Sequence, residues 1–419
     1  MLETMKNYTL TKRACYFTNI ALSSAFSLPP ILFLTFKEMY GISYTLLGTL
    51  VLINFLTQLG IDLIFTFFSR FFNTKTTLRV MPLITTLGLS VYALIPTFSP
   101  SNAYLGLVIG TVIFSVAAGL CEVLLSSFVA AIPSQTPDRD MSKLHSLYAY
   151  GVVTVVVLST VFLHFFGTEN WMYLTLFWAF LPVIAFAMLC ASPLPNTDMN
   201  HNEKSASSSK KKLALALCAA CIFFGSAAEN SMTNWISGFV ENALHIPKLW
   251  GDVLGLALFG ILLGLGRTLY AKHGKNISKI LLFGMIGASL CYITAALAPI
   301  PAISMTACVL TGFCTSMLWP GTLILMEEKI PFVGVAGYAL MAAGGDFGGA
   351  LAPQMLGAVV DGVAQSDLAV KISAVTSLSP EQIGMKAGML TAAVFPLIGI
   401  FLLLYIRKFF KKNSSSINN

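Results

Sequence analysis

The sequence is poor in charge. Only 10% of its 419 residues are Asp, Glu, Lys or Arg, whereas soluble globular domains carry roughly 25%. Hydrophobic residues make up 56% of the chain and the mean hydropathy is +0.79. This composition excludes a soluble globular protein.

Motifs of enzymes and metal sites are also lacking. The sequence has no His-Glu-x-x-His, no paired-acid cluster and no Gly-x-Ser-x-Gly elbow. Its Cys-x-x-Cys, Cys218 to Cys221, has no second pair and lies inside an apolar run, so we expect it to serve packing. We therefore predict that the protein is not an enzyme and carries no metal or organic cofactor. A membrane-embedded enzyme is a remote alternative.

Long apolar runs are abundant. A helix needs roughly 20 apolar residues to span a bilayer, whereas strands of a membrane barrel are about ten residues of alternating polarity. The runs fit the first description, which predicts an all-α membrane protein. The twelve predicted spans are 14–36, 45–68, 79–98, 103–132, 144–166, 171–191, 213–243, 249–271, 278–299, 302–326, 333–361 and 386–407.

Basic residues are distributed unevenly between the loops. With a cytoplasmic N-terminus, 21 of the 25 Lys and Arg residues fall in inside segments, as expected because basic residues mark cytoplasmic loops. We predict a multi-pass protein of the cell (inner) membrane with both termini cytoplasmic. The net charge of +7 then reflects this topology and contact with anionic lipid, and no nucleic-acid partner is expected.

A polar stretch divides the twelve runs into six and six. Residues 192–212 are rich in Pro, Asn, Ser and Lys, which predicts a cytoplasmic linker between halves 1–191 and 213–419. An offset of 193 residues aligns Gly119-Leu120-Cys121 with Gly312-Phe313-Cys314. This match indicates that the halves arose by duplication.

Two parallel six-helix halves are the architecture of the major facilitator superfamily, which the chain resembles along its whole length. The resemblance implies two pseudo-symmetric halves, alternating access, a monomer, and a cavity lined by the first, fourth, seventh and tenth spans. The loop 69–75 keeps the basic charge of the superfamily's signature loop but not its Gly, Asp and Arg-Gly pattern. Arg70 in this loop is predicted to take part in gating.

The seventh span contains an acid near its middle, Glu229. A charge there costs at least about 2.5 kcal/mol if it faces lipid, so we expect it to face a wet cavity, a partner or a ligand. A polar contact between helices is the alternative. Asn230 and Asn234 share one helix face and, with Trp235, are predicted to bind the solute.

Polar residues also mark the second, tenth and eleventh spans. Asn54, Gln58 and Asp62 follow one another at four-residue spacing and form one stripe, predicted to contact solute or ion or to pack between helices. In the eleventh span, glycines that permit close helix approach surround Asp346, which is predicted to couple protons or pair with a cation. Further solute contacts are predicted at Trp319, beside the expected kink at Pro320, and at Gln354.

The fourth span carries a resemblance to a subfamily. Ala117-Ala118-Gly119-Leu120, then Glu122, then Ser126-Ser127-Phe128-Val129 is similar to the fourth helix of fucose–proton symporters and related glucose transporters. The resemblance implies that Glu122 couples protons, and Ser126, one turn on, is predicted to contact solute. Asn234-Trp235 and Gly266-Arg267 are similar to the glucose-transporter branch.

The first span has Asn19, Ser23 and Ser24 where the fucose symporters carry an acid. Glu229 or Asp346 is therefore the expected additional coupling group. Asp62, near the cytoplasmic side, is predicted either to couple protons or to have a gating or structural role. His145 and Arg267 are predicted to act in gating near the cytoplasmic side.

The residues together predict a secondary-active transporter for a small neutral solute, a hexose or similar carbohydrate, taken up with H⁺ or else Na⁺. Amides can bond sugar hydroxyls, and an aromatic ring can cover the C–H face. With Arg267 assigned to a helix end, no basic residue is expected at mid-membrane to pair an anionic solute. A proton-driven exporter of drugs or metabolites is the alternative, supported by 31 Phe and 17 Met.

Overall fold

The chain folds almost entirely into helices. The computed structural model describes residues 2–68, 71–134, 137–195, 209–330 and 334–418. Two of its helices are short: α8, Lys248–Trp250, and α14, Asp367–Val375. The others are α1 Leu2–Tyr40, α2 Tyr44–Phe68, α3 Thr74–Phe98, α4 Ala103–Ala131, α5 Pro137–Phe166, α6 Trp171–Ala191, α7 Ser209–Asn242, α9 Leu258–His273, α10 Ile277–Leu297, α11 Pro301–Thr315, α12 Pro320–Lys329, α13 Gly334–Ala364 and α15 Pro380–Asn418.

These helices confirm the all-α membrane fold. Within the described residues, eleven segments are long and apolar enough to span a bilayer. A shorter apolar helix, Tyr150–Phe166, occupies the position of the fifth predicted span. The protein is therefore a multi-pass membrane protein.

Two of the predicted spans are not continuous α-helices. The eighth runs from α8 through a π-helix, Gly251–Ala257, into α9. The tenth is interrupted between α11 and α12, where residues 316–319 form a turn. Pro320 begins α12, a position that suits proline because a first-turn N–H needs no helical partner. The predicted kink beside Trp319 is thus a full interruption.

Contacts divide the chain into two units. Unit 1 comprises Met1–Ile42 and Leu56–His201, and unit 2 comprises Ser43–Phe55 and Asn202–Asn419. Unit 2 thus includes the first half of α2 as well as the C-terminal helices.

Unit 1 is built around α1, α3, α4 and α5. A cluster of buried residues in this unit includes Leu78, Leu124 and Phe128. Asp140 lies near the start of α5, before the apolar segment of that helix. It accepts hydrogen bonds from Lys12, Ser134 and Tyr16. Desolvation opposes ionisation of Asp140, but these bonds and the Lys12 charge outweigh it and hold its pKa below the ordinary value.

Unit 2 is organised by close packing of α7 against α13. A Cβ added at Gly348 would lie 2.2 Å from the Phe223 carbonyl oxygen, and one at Gly344 would lie 2.7 Å from that of Ala219. Only glycine fits at such distances, so the close approach predicted for the glycines around Asp346 is confirmed. Larger residues there would force the two helices apart.

The first turn of α2 is held by the end of α13. The Asp361 carboxylate accepts the backbone N–H groups of Tyr44, at 3.3 Å, and Thr45, at 2.6 Å, and also the Thr45 hydroxyl. It does the work of an N-cap side chain, and its negative charge lies at the positive end of the helix dipole.

Candidate functional site

Unit 2 holds an ion pair inside its apolar spans. Glu229 on α7 accepts a hydrogen bond through Oε1 from Arg267 Nη2 on α9, at 3.3 Å. The Glu229 side chain is 17% exposed and that of Arg267 is 40% exposed. Glu229 Oε2 is buried and has no hydrogen-bond partner among the described residues. The acid is thus stabilised through Oε1, whereas no group in the described part of the chain uses the hydrogen-bonding capacity of Oε2 in this conformation.

The same arginine bonds the interrupted helix. Arg267 Nε donates to the Ser316 carbonyl oxygen, at 3.0 Å, at the point where α11 ends. Carbonyls at a helix end lack intrahelical partners, and the guanidinium supplies one. A Cβ at Gly266 would lie 2.2 Å from Ser316 Oγ, so the glycine before Arg267 allows α9 to approach this end.

The position of Arg267 agrees with the sequence analysis, but its pairing was not predicted. Arg267 lies near the end of the span Lys248–Tyr270, where we expected it. From there it pairs with an acid of the span Lys210–Asn242. The gating role assigned to it stays a prediction.

The two predicted amides on α7 bond to their own helix. Asn230 Nδ2 donates to the carbonyl and the hydroxyl of Ser226, each at 3.1 Å, and Asn234 Nδ2 donates to the Asn230 carbonyl at 2.9 Å. Their side-chain oxygens are the groups that solute hydroxyls could reach. Tyr292 bonds the same stretch, since its hydroxyl donates to the Ala228 carbonyl at 2.6 Å.

The two predicted tryptophans have different surroundings. Trp235 is 1% exposed, and its indole N–H donates to the Pro353 carbonyl at 3.1 Å. Its ring packs against that of Tyr44, with centroids 5.6 Å apart. Trp319 is half-buried and lies so close to α13 that a Cβ at Gly345 would be 2.5 Å from its Nε1. In this conformation Trp319 is the more accessible of the two.

The predicted polar residues of α13 and of the start of α2 also belong to unit 2. Asp346 is 8% exposed and next to Gly345, and therefore lies near Trp319. Gln354 Oε1 is buried, has no hydrogen-bond partner among the described residues, and lies 2.9 Å from the position of a Cβ at Gly48. Asn54 is half-buried.

The remaining described candidates belong to unit 1. Glu122 on α4 has an exposed side chain, and Ser126, one turn on, is half-buried. On α2, Gln58 is 2% exposed and Asp62 is half-buried. Asn19 links α1 to α5 and α4: its Nδ2 donates to the Leu144 carbonyl at 2.9 Å, and its Oδ1 lies 3.9 Å from Cys121 Sγ.

Two predicted gating residues lie outside the described parts. Arg70 falls in the gap at 69–70, and the His145 side chain is not among those described. Among the described residues, no cluster of three or more His, Cys, Asp or Glu side chains could hold a metal ion.

Sequence reasoning missed Ser316 and Tyr292, which bond residues of this site. Neither could be found from spacing, because each belongs to another part of the chain: the Ser316 carbonyl accepts from Arg267, and the Tyr292 hydroxyl donates to the Ala228 carbonyl. Arg267 did carry a signal: it is an ionisable residue inside an apolar run, which by itself indicates a functional position.

Comparison with known proteins shows which family and which solved structures this architecture resembles. The family model of the Major Facilitator Superfamily matches residues 14–353. A search of curated proteins finds no match. Similar solved structures include a bacterial homologue of the human lysosomal transporter Spinster (14% identity, 98% of each chain covered, TM-score 0.69). A D-xylose–proton symporter (14% identity, 96% of this chain and 98% of that chain, TM-score 0.73) is also similar.

A nucleoside transporter is similar to the same degree (12% identity, 96% of this chain and 100% of that chain, TM-score 0.68). At such identities the likeness shows a shared fold and not a shared solute. The match of the family model over most of the sequence shows more: the chain belongs to the Major Facilitator Superfamily.

Proposed function

We propose that this transporter takes up a hexose or similar small neutral carbohydrate together with a proton, by alternating access. The observation that carries the proposal is the Glu229–Arg267 pair beside the interruption between α11 and α12. Ionisable groups within spans mark solute and ion pathways, and interrupted helices of transporters line their binding sites.

The pair favours a neutral solute even though it contains an arginine. Glu229 already supplies a counter-charge to Arg267, so the site has no uncompensated positive charge for an anion. The second carboxylate oxygen of Glu229, the amide oxygens of α7 and the Trp319 ring offer acceptors and an apolar face. These are the groups that suit a polyol.

Glu122 is the proposed proton carrier. It lies within an apolar span of unit 1 with its side chain exposed, and a carboxylate facing lipid is costly. We therefore infer that it faces water and exchanges protons with it. The proton gradient supplies about 2.3 kcal/mol per charge at 100 mV and about 1.4 kcal/mol per pH unit. One proton per solute can thus drive roughly several-hundred-fold accumulation with such a gradient.

The test is uptake by purified protein in proteoliposomes under an imposed proton gradient. Wild type should accumulate labelled hexose, and Glu122→Gln should lose accumulation while retaining solute exchange without a gradient. Glu169→Gln is the matched control, because Glu169 is exposed in the loop between α5 and α6.

No proton-driven accumulation of any hexose by wild type would refute the proposed function. Accumulation by Glu122→Gln equal to wild type would refute the coupling role alone. The two results are therefore distinguishable.

An exporter of apolar compounds is the second candidate, and one observation favours it. Phe223 packs against the rings of Phe224, Phe347 and Phe395, with centroids 5.1 to 6.4 Å apart, and Phe347 is 46% exposed. A thermal-shift screen against sugars, nucleosides and drugs, at two pH values and with Na⁺, would separate the candidates because a bound ligand stabilises the folded state.

A further inference from the structure

The end of α7 is closed by a histidine in an unusual backbone conformation. Ile246 N donates to the Val240 carbonyl at 3.2 Å, and His245 has a φ of 53°. This is the left-handed position that ends many helices, and glycine usually fills it because other side chains are strained there. A histidine in this position suggests that its side chain has a role.

The His245 ring meets an amide whose orientation is fixed. Gln382 Oε1 accepts the Ser379 N–H at 2.8 Å, and the Ser379 hydroxyl accepts the Gln382 N–H at 3.2 Å. This reciprocal pair is a capping box at the start of α15. Gln382 Nε2 donates to the Ala243 carbonyl at 3.1 Å and lies 2.9 Å from His245 Nε2. A backbone N–H can only donate and a carbonyl can only accept, so the amide cannot be reversed without losing both bonds.

The protonation state of His245 follows from this geometry. Gln382 Nε2 presents an N–H to the ring, so His245 Nε2 has to accept, which only the neutral imidazole can do. In the protonated ring both nitrogens carry hydrogens, and two donors would then face each other. Histidine is the side chain that ordinarily changes charge between pH 5 and 8.

Charged groups on the surrounding elements have partners of their own. Lys248 contacts Glu241 and Asp252, at 3.7 and 3.5 Å. Glu381 accepts from the Tyr44 hydroxyl and from Asn242. Asp361 caps the start of α2, and Lys386 donates to the Ala296 carbonyl at 3.0 Å.

We propose that His245, Gln382, Ser379 and the Ala243 carbonyl form an acid-sensitive clip that joins the end of α7 to the start of α15. The clip is closed while the imidazole is neutral and opens when the ring takes up a proton. By the distribution of basic residues it lies on the non-cytoplasmic side, from which a symporter's protons would come. Its action does not depend on which solute is carried.

The test is hydrogen–deuterium exchange of the full-length protein without solute at pH 7.5 and 5.5, with labelling times corrected for intrinsic exchange rates. The reporter is the amide of Ser379. We expect its corrected exchange to be about fivefold faster at the lower pH, the effect of losing one hydrogen bond. The cap of α14, where Ser366 Oγ accepts the Ala369 N–H at 3.2 Å, is the internal control and should not change.

Two variants make opposite changes to the clip. In Gln382→Glu the carboxylate still completes the capping box, although it cannot donate to the Ala243 carbonyl. It accepts from a protonated ring, so protection of Ser379 should be greater at pH 5.5 than at pH 7.5. His245→Asn tolerates the left-handed backbone but is too short to reach residue 382, so exchange should be fast at both pH values. His164→Gln, which alters a histidine at the end of α5, should behave as wild type.

Equal corrected exchange of Ser379 at both pH values in wild type would overturn the proposal. So would the same sign of pH dependence in Gln382→Glu as in wild type. If Gln382→Glu does not fold, a retained pH dependence in His245→Asn would overturn it. None of these results bears on hexose transport, so failure of the clip and failure of the proposed function are distinguishable.

Discussion

The two units hold their charged residues differently. In unit 1 the described ion pair, Lys12–Asp140, lies beside the loop between α4 and α5, with side chains 22% and 17% exposed. Glu122, an acid within its apolar spans, is exposed. In unit 2 Glu229, an acid near the middle of a span, is paired: it bonds Arg267, which also bonds the end of α11.

This difference indicates that the acids of the two units have different roles. An accessible acid can exchange a proton without breaking a contact, whereas a paired acid can change state only if its partner moves. Arg267 is also bonded to the end of α11, so a change in the charge or contacts of Glu229 would alter the contact between Arg267 and α11. We infer that unit 1 carries the proton and that unit 2 couples occupancy to helix movement.

The largest effect is expected when the pair of unit 2 is broken. Arg267→Met leaves the Glu229 carboxylate without its counter-charge and the Ser316 carbonyl without its donor. Breaking a buried pair costs about 3–5 kcal/mol, and because Arg267 is 40% exposed we expect about 1–3 kcal/mol here. Thermal unfolding in detergent would measure the loss.

The double variant Glu229→Gln/Arg267→Met is the control. Because it removes both charges, it should recover most of the lost stability. No recovery would mean that Arg267 stabilises the protein through the Ser316 carbonyl or through packing. The difference between the two units would then not lie in how they stabilise charged residues.

A smaller effect is expected from paired tryptophan substitutions, one in each unit. Trp235→Phe removes the donor to the Pro353 carbonyl, and Trp178→Phe removes the donor to the Ser159 hydroxyl at 2.9 Å. A hydroxyl can rotate to a carbonyl of its own helix, but a carbonyl in a packed helix cannot. Trp235→Phe should therefore cost about 1–2 kcal/mol and Trp178→Phe less.

A second substitution at the same position tests the predicted role of Trp235 in solute binding. If Trp235 contacts the solute, Trp235→Ala should weaken binding by about 1–3 kcal/mol, as should Asn234→Ala, measured by calorimetry. Reduced stability with unchanged affinity would assign Trp235 to packing alone.

The smallest effect is expected at the ion pair of unit 1. Folding lowers the pKa of Asp140. The stabilisation that this carboxylate provides is therefore fully present above the ordinary aspartate pKa and is lost as pH falls through the lowered pKa of the folded protein. Wild type should exceed Asp140→Asn by less than about 1 kcal/mol at pH 7, because the pair is partly exposed. The thermal midpoints of the two should converge only as pH falls below the lowered pKa of Asp140 in the folded protein, and a constant difference would contradict the prediction.

The sequence was sufficient to predict the spans because an apolar run of this length has no other stable structure in a bilayer. It was also sufficient for the close packing of Gly344 and Gly348, since clustered small residues indicate a tight helix interface. The π-helix at Gly251–Ala257 and the short helix α14 were missed. Neither changes the average hydropathy of its segment enough to be detected.

Partners across helices could not be predicted from spacing. A four-residue repeat shows that Asn230 and Asn234 share a face, but not that their N–H groups bond their own helix. The pairing of Arg267 was missed because the spacing of residues within α9 does not reveal which acid of another helix its side chain reaches. The clip was missed because His245 and Gln382 are 137 positions apart.

The Asp361 contact has a consequence for how the protein is made. A ribosome completes α2 long before it reaches Asp361, 316 residues beyond Thr45. Until then the first turn of α2 lacks its carboxylate cap, and before Asn202 is synthesised unit 2 consists of Ser43–Phe55 alone. Ser43–Phe55 must therefore stay in the membrane without its unit 2 partners until the last helices are inserted. The order of synthesis along the chain is thus not the order in which the two units are completed.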